Sequence, residues 1–247
     1  MTVGLFIPCY IDQFYPQVAI ATLELLEKHG VKVVFPQRQT CCGQPMANSG
    51  FEHLTHSSNE LFVENFSGFD YIVSPSGSCA LHIKDHLHSD KHENEAAGIR
   101  GKMMELTEFL VDVLQVKTLP ANFPHKVGLH QSCHGQRGLK LAQMSELVAA
   151  PFSKSEHLLR MVDGLELIPL GRRDECCGFG GTFCVAEEAV SVKMGKDRVA
   201  DHVQHGAEYI TGSDMSCLMH LEGILRRQNS NVRVAHIAEI LNGKVNA

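Results

Sequence analysis

Short apolar runs alternate with longer amphipathic stretches along the whole 247-residue chain. Runs at 3–7, 31–35, 71–74, 127–130, 165–169 and 208–211 are compact and rich in β-branched residues, which predicts strands. Between them the apolar spacing turns helical. In 17–29, Val18, Thr22, Leu25 and Leu26 share one face, and Gly30 supplies a stop. Similar spacing predicts helices over 52–66, 79–88, 102–115, 137–149, 185–204, 217–228 and 235–242. Strands separated by helices imply parallel sheets with crossover helices.

The pattern runs through twice. Val3-Gly-Leu-Phe-Ile-Pro-Cys9 matches Val127-Gly-Leu-His-Gln-Ser-Cys133, and Thr40-Cys-Cys-Gly43 matches Glu175-Cys-Cys-Gly178. Segment 71–79 ends in Ser-Cys as 209–217 does, and 105–110 is similar to 235–241. Four matches in one order indicate an internal duplication. The two prolines of 119–125 interrupt regular structure and place a boundary between residues 1–124 and 125–247. The expected fold is α/β: two pseudo-symmetric lobes, each a small, mostly parallel sheet with flanking helices.

Charge narrows the function. The formal net charge is −6; residues 1–124 carry 8 Lys and Arg against 14 Asp and Glu, and the remainder carries 14 of each. A chain without net positive charge is a poor nucleic-acid binder. No apolar stretch approaches the ~20 residues of a membrane span, so no direct membrane insertion is expected. No basic region precedes the first apolar run, so it does not read as a signal peptide and a cytoplasmic location is expected.

The chemistry lies in the cysteines. Nine are present, and in a reducing compartment so many thiols point to metal or redox chemistry rather than disulfides. Eight obey the duplication: Cys9, Cys41, Cys42 and Cys79 in the first half, and Cys133, Cys176, Cys177 and Cys217 in the second. Each follows a predicted strand, and sites in open α/β sheets form outside the carboxyl ends of the strands. Four soft thiolates per half suit an iron–sulfur cluster, [4Fe–4S] or [2Fe–2S]. Adjacent cysteines serve one site only on a bent loop, which Gly43 and Gly178 permit. Two other readings stay open. The thiols are buried core residues, or they hold zinc, although neither half has the Cys-x2–4-Cys pair usual in structural zinc sites.

These motifs resemble the CCG-domain (cysteine-rich) iron–sulfur oxidoreductase family, which includes the catalytic component of heterodisulfide reductase and iron–sulfur components of glycolate and glycerol-3-phosphate oxidation. Segments 35–45 (FPQRQTCCGQP), 74–79 (SPSGSC), 176–183 (CCGFGGTF), 214–217 (DMSC) and 234–241 (VAHIAEIL) carry the resemblance, with Asn48-Ser-Gly50. Within that family the chain is most similar to the branch serving growth on L-lactate. The resemblance implies an iron–sulfur electron-transfer subunit in the oxidation of L-lactate to pyruvate, an oxidoreductase component. Its cofactor would be [4Fe–4S], up to one per lobe, and its partners an iron–sulfur subunit (LutB-like) and a LutC-like subunit. In the heterodisulfide reductase branch each motif ends in Cys-x-x-Cys; here Ser76 and Asp214 stand at the earlier positions. They read as oxygen ligands, hydrogen-bond partners or loop residues. The alternatives in function are a thiol–disulfide redox enzyme and a zinc-stabilised scaffold subunit.

Other side chains read as secondary. His82 and His86 share a helical face but lack the intervening Glu of a zincin site. His130 and His134 flank Cys133 and can donate hydrogen bonds near a cluster, and His220 lies one turn after Cys217. Arg172 and Arg173 suit a carboxylate or a solvated loop equally. Gly178–Gly181 lacks the dinucleotide spacing, Cys184 has no counterpart in the first half, and the sequence supports no argument for a Ser-His-Asp set.

Overall fold

The computed structural model describes residues 1–245. The chain opens with β1 (Thr2–Leu5), α1 (Cys9–Phe14), α2 (Pro16–Lys28), β2 (Lys32–Val34), α3 (Gln44–Asn48) and α4 (His56–Phe66). It continues through β3 (Tyr71–Ser74), α5 (Gly77–His86), α6 (Glu93–Lys102), β4 (Met103–Glu105) and α7 (Leu106–Glu108), which runs into a π-helical turn over Phe109–Val113. The second half holds β5 (Lys126–Leu129), a π-helical turn (His134–Gly138), α8 (Lys154–Leu159), β6 (Glu166–Leu167), α9 (Phe183–Ala186), α10 (Glu188–Gln204), β7 (Tyr209–Gly212), α11 (Met215–Arg227), β8 (Arg233–His236) and α12 (Ile237–Asn242).

Two four-stranded sheets result, ordered β2-β1-β3-β4 and β6-β5-β7-β8, with every strand pairing parallel. Their registers coincide. Val3 faces Val33 and Tyr71, as Val127 faces Leu167 and Tyr209. The two lobes are therefore pseudo-symmetric, as the duplication predicts.

Apolar spacing explains how they join. In α2 Pro16 occupies the first turn, where its missing N–H is no loss, and Val18, Ala21, Leu25 and Leu26 are buried. In α12 Ile237, Ala238, Ile240 and Leu241 are buried, and α12 packs on α2. One apolar core runs through both lobes, and each fully buried Leu or Ile in it is worth roughly 1.5–3 kcal/mol. Lys28 seals the edge by donating to Asn242 Oδ1 (2.6 Å) and its carbonyl (2.9 Å).

Helices α1, α3, α6 and α8 form where none is predicted, and three of the predicted segments come out differently. β4 and β8 lie where helices 102–115 and 235–242 are predicted to begin. Each is a short edge strand, with Met, Ala and His in place of a β-branched run, so it carries little strand signal. The predicted helix 137–149 does not form. Lys140 adopts φ 55°, and the backbone returns on itself through Gln143 N–H to Phe152 C=O (2.8 Å) and Lys154 N–H to Leu141 C=O (2.9 Å). Good local helix propensity loses there to tertiary pairing. This loop belongs to the longer of the two Cys-to-Cys-Cys intervals, and it walls a cavity of about 790 Å³ beside Gln131, Gln136 and Arg173.

Candidate metal centre

Each lobe gathers its four thiols at the carboxyl end of its sheet. Cys9 opens α1, Cys41 and Cys42 lie between β2 and α3, and Cys79 sits in the first turn of α5. The Cys41 thiol neighbours those of Cys42 and Cys9, and Cys42 neighbours Cys79. The second lobe repeats this. Cys133 precedes the π-helical turn, Cys176 and Cys177 lie between β6 and α9, and Cys217 sits in the first turn of α11. Cys176 contacts Cys133 and Cys177, and Cys177 contacts Cys217. Cys42, Cys79, Cys177 and Cys217 are buried, whereas Cys9 is exposed at the open side of its set.

The Cys-Cys-Gly loop folds both thiols to one side because the glycine takes a left-handed conformation, φ 90° at Gly43 and 87° at Gly178. Its amide then turns back to donate to sulfur: Gly43 N–H to Cys41 Sγ and Gly178 N–H to Cys176 Sγ, both 3.4 Å. Phe179 N–H donates to Cys177 Sγ at 3.4 Å.

Proximity polarises each set. The neighbouring thiols of Cys42 and Cys9 pull Cys41 well below the usual thiol range, and those of Cys133 and Cys177 do the same to Cys176. Those neighbours are pushed up in return, chiefly by Cys41 or Cys176 and then by burial or further thiols. Four sulfurs this close cannot all ionise alone, because like charges repel. A soft cation removes that conflict by converting all four to thiolates. The donor set therefore fits a thiolate-bound metal or iron–sulfur group.

The two departures from the Cys-x-x-Cys pattern meet at the centre of the molecule. Ser76 and Asp214 form an antiparallel bridge between the lobes, and the Ser76 hydroxyl donates to Asp214 Oδ1 at 2.8 Å. Ser78 adds its amide (3.0 Å) and hydroxyl (2.9 Å) to the same oxygen. Glu105 and His236, at matching starts of α7 and α12, are also buried and close a capping box each. Burial pushes Glu105 up to about 8 and His236 down to about 4.

The lobes differ behind β1 and β5. Phe6 and His130 occupy equivalent positions, donating their amides to Val73 C=O and Thr211 C=O. Phe6 packs edge-on against Phe62 and Phe66. His130 instead brings a ring nitrogen to within 4.8 Å of the sulfurs of both Cys177 and Cys217, all three residues being buried. Burial holds His130 down to about 3, and Arg198, itself fully buried and paired with Asp201, donates to its Nδ1 at 3.2 Å. His130 is visible in the sequence as a neighbour of the second site. Arg198 is not, since it lies 65 residues from Cys133 on α10 and resembles any helical cation.

The remaining candidates separate. His134 Nδ1 lies 3.7 Å from Cys133 Sγ, whereas His220 contacts the Ser191 carbonyl. His82 stacks on His86, which pairs with Glu52. Cys184 donates to the Gly181 carbonyl at 3.0 Å. Arg172 pairs with Glu175, and Arg173 reaches Glu156 at the cavity wall.

Residues 3–84 and 127–222 match the CCG cysteine-rich domain model, one copy per lobe. The chain belongs to the CCG cysteine-rich family. CCG relatives of nearly equal length are similar throughout. Lactate utilization protein A of Shouchella clausii is 42% identical over 99% of this chain and 100% of its own, and that of Exiguobacterium sp. is 43% identical over 97% and 96%. The fold is similar to that of a hypothetical protein from Helicobacter pylori, at a TM-score of 0.62 and 14% identity, covering 99% of this chain and 49% of that one. Among the described residues no helix is long and apolar enough to cross a membrane.

Proposed function

We propose that the chain is an iron–sulfur electron-transfer subunit of a system oxidising L-lactate to pyruvate, working in the cytoplasm with an iron–sulfur subunit of the LutB type and a subunit of the LutC type. The observation that carries the cofactor is the convergence of four thiols in each lobe. Cys9, Cys41, Cys42 and Cys79 would hold one cluster within residues 1–124, and Cys133, Cys176, Cys177 and Cys217 another within 125–247. A bound iron–sulfur group supplies one-electron storage. The chain's own part is to bury the sulfurs and to aim the amides of Gly43, Gly178 and Phe179 at them, which favours the more negative, reduced state. The lactate assignment is supported by full-length similarity to proteins named Lactate utilization protein A.

Anaerobic purification followed by iron, sulfide and zinc analysis tests the cofactor. Iron with matching sulfide and visible absorption is expected; zinc in place of iron, with no absorption after reconstitution, would leave the scaffold reading instead. Lactate-dependent bleaching in the presence of the two partner subunits tests the pathway. The first lobe's share of it should disappear in Cys42→Ser and the second lobe's share in Cys177→Ser, and undiminished bleaching in both removes these cysteines from the electron path.

A further inference from the structure

The duplication makes two cysteine sites of like design, but the residue behind them differs: Phe6 in the first lobe and His130 in the second. Two observations define what His130 offers. Arg198 Nε, a group that only donates, points at Nδ1 from 3.2 Å. Nδ1 must therefore carry the lone pair, the ring is neutral, and the proton sits on Nε2. That Nε2 is buried and has no hydrogen-bond partner among the described residues. A buried donor left unpaired is costly, and such atoms call for a partner from a bound group. The acceptors nearby are the sulfurs of Cys177 and Cys217.

The same tautomer argues against His130 as a metal ligand. Ligation through Nε2 would move the proton to Nδ1, and two donors, Nδ1–H and Arg198 Nε–H, would then face each other. Metal-bound histidines normally give that second N–H to a carboxylate or carbonyl. Here the place is taken by a guanidinium fixed from its other side by Asp201 and by the carbonyls of Leu129 and Arg172.

Resting on the cluster reading above, we propose that Arg198 locks His130 as a hydrogen-bond donor to the sulfurs of the second site, so that this site is more easily reduced than the first. Hydrogen bonds to cluster sulfurs stabilise the reduced, more negative state. At the position matching His130 the first lobe presents the edge of a phenylalanine cluster, which offers none. His130 lies within 4.8 Å of the sulfurs it would serve; Arg198 is a positioning residue.

The test uses full-length protein purified anaerobically and reconstituted with iron and sulfide. Cys42→Ser leaves the second site alone, and its potential is read by a mediated redox titration followed by electron paramagnetic resonance. Adding His130→Phe should lower the reduced-to-oxidised ratio at fixed ambient potential by about tenfold, which is about 59 mV for a one-electron couple. His130→Gln keeps an acceptor for Arg198 and a donor for sulfur, and should restore the parent potential. Arg198→Met frees the tautomer and should shift the potential in the same direction as His130→Phe. In the Cys177→Ser background, which isolates the first site, His130→Phe should move nothing. Imidazole ¹⁵N labelling should give a weak coupling to the reduced second site. An unmoved potential in His130→Phe, failure of His130→Gln to restore it, or a coupling of the strength of direct iron–nitrogen ligation overturns the assignment while the cluster reading stands. A protein that takes up no iron and sulfide overturns both.

Discussion

Asp214 Oδ1 accepts the Ser76 hydroxyl at 2.8 Å across the pseudo-twofold that relates the lobes. Each partner is the residue three before a site cysteine. Cys79 N–H donates to Ser76 Oγ at 3.3 Å, and Cys217 N–H to the Asp214 carbonyl at 3.1 Å. With the amide and hydroxyl of Ser78 on the same oxygen, this contact ties together the helix starts that present Cys79 and Cys217. In place of a fifth thiol per lobe, the chain has a buried crosslink between its two sites.

Asp214→Ala strands two hydroxyls and one amide that share Oδ1. A loss of about 2–4 kcal/mol is expected in urea unfolding, because buried donors without an acceptor carry their full desolvation cost. A double-mutant cycle with Ser76→Ala should return a coupling of about 0.5–3 kcal/mol. Additive effects would show that the contact does not tie the lobes.

Gly178→Ala should be worse tolerated than Gly43→Ala. Both positions need a left-handed backbone, at a cost of about 1–3 kcal/mol to alanine. At Gly178 a Cβ would also meet the Ser191 carbonyl oxygen at 2.7 Å and Met194 Cβ at 2.8 Å, whereas at Gly43 it meets the end of the Thr55 side chain at 2.9 Å. Thermal melts of the two variants, with iron content measured in parallel, should rank them in that order.

The two sites should empty independently. Cys42→Ser is expected to halve bound iron and leave the second lobe's spectrum, and Cys177→Ser should do the reverse, since each set of four thiols is closed within its lobe. Loss of all iron from either variant would mean that the lobes share one centre.

Glu105 makes stability depend on pH. Burial raises its folded value to about 8 from an ordinary 4.5. Between these values the unfolded carboxyl ionises while the folded one keeps its proton, so stability falls as pH rises through the window and levels off above it. Glu105→Gln keeps an acceptor for the Thr107 and Glu108 amides and removes the titration. The variant should gain of order a few kcal/mol over the parent at pH 8 and nothing near pH 4.5, measured by urea unfolding at both. An unchanged pH slope would place the dependence on another group.

Much of the site can be read from residue order. A strand followed by cysteine, repeated at Val3–Cys9 and Val127–Cys133, puts each thiol at a strand's carboxyl end in any parallel sheet. The edge strands β4 and β8 are not legible, because three or four residues ending in Glu105 or His236 carry no alternation of their own and become strands only by pairing with β3 and β7. The loop after Gly138 misleads for the opposite reason: its composition favours a helix, and contacts with residues 152–154 override it.

By itself the sequence determined the duplication, the parallel α/β lobes and the eight paired cysteines, because these rest on local periodicity and on order along the chain. Tertiary structure alone decided that Ser76 meets Asp214 and that Arg198 orients His130. Those pairs lie 138 and 68 residues apart, and their hydrogen bonds exist only once two lobes, or a helix and a strand, are packed against each other. No short-range pattern can encode a donor and an acceptor that meet only across a finished core.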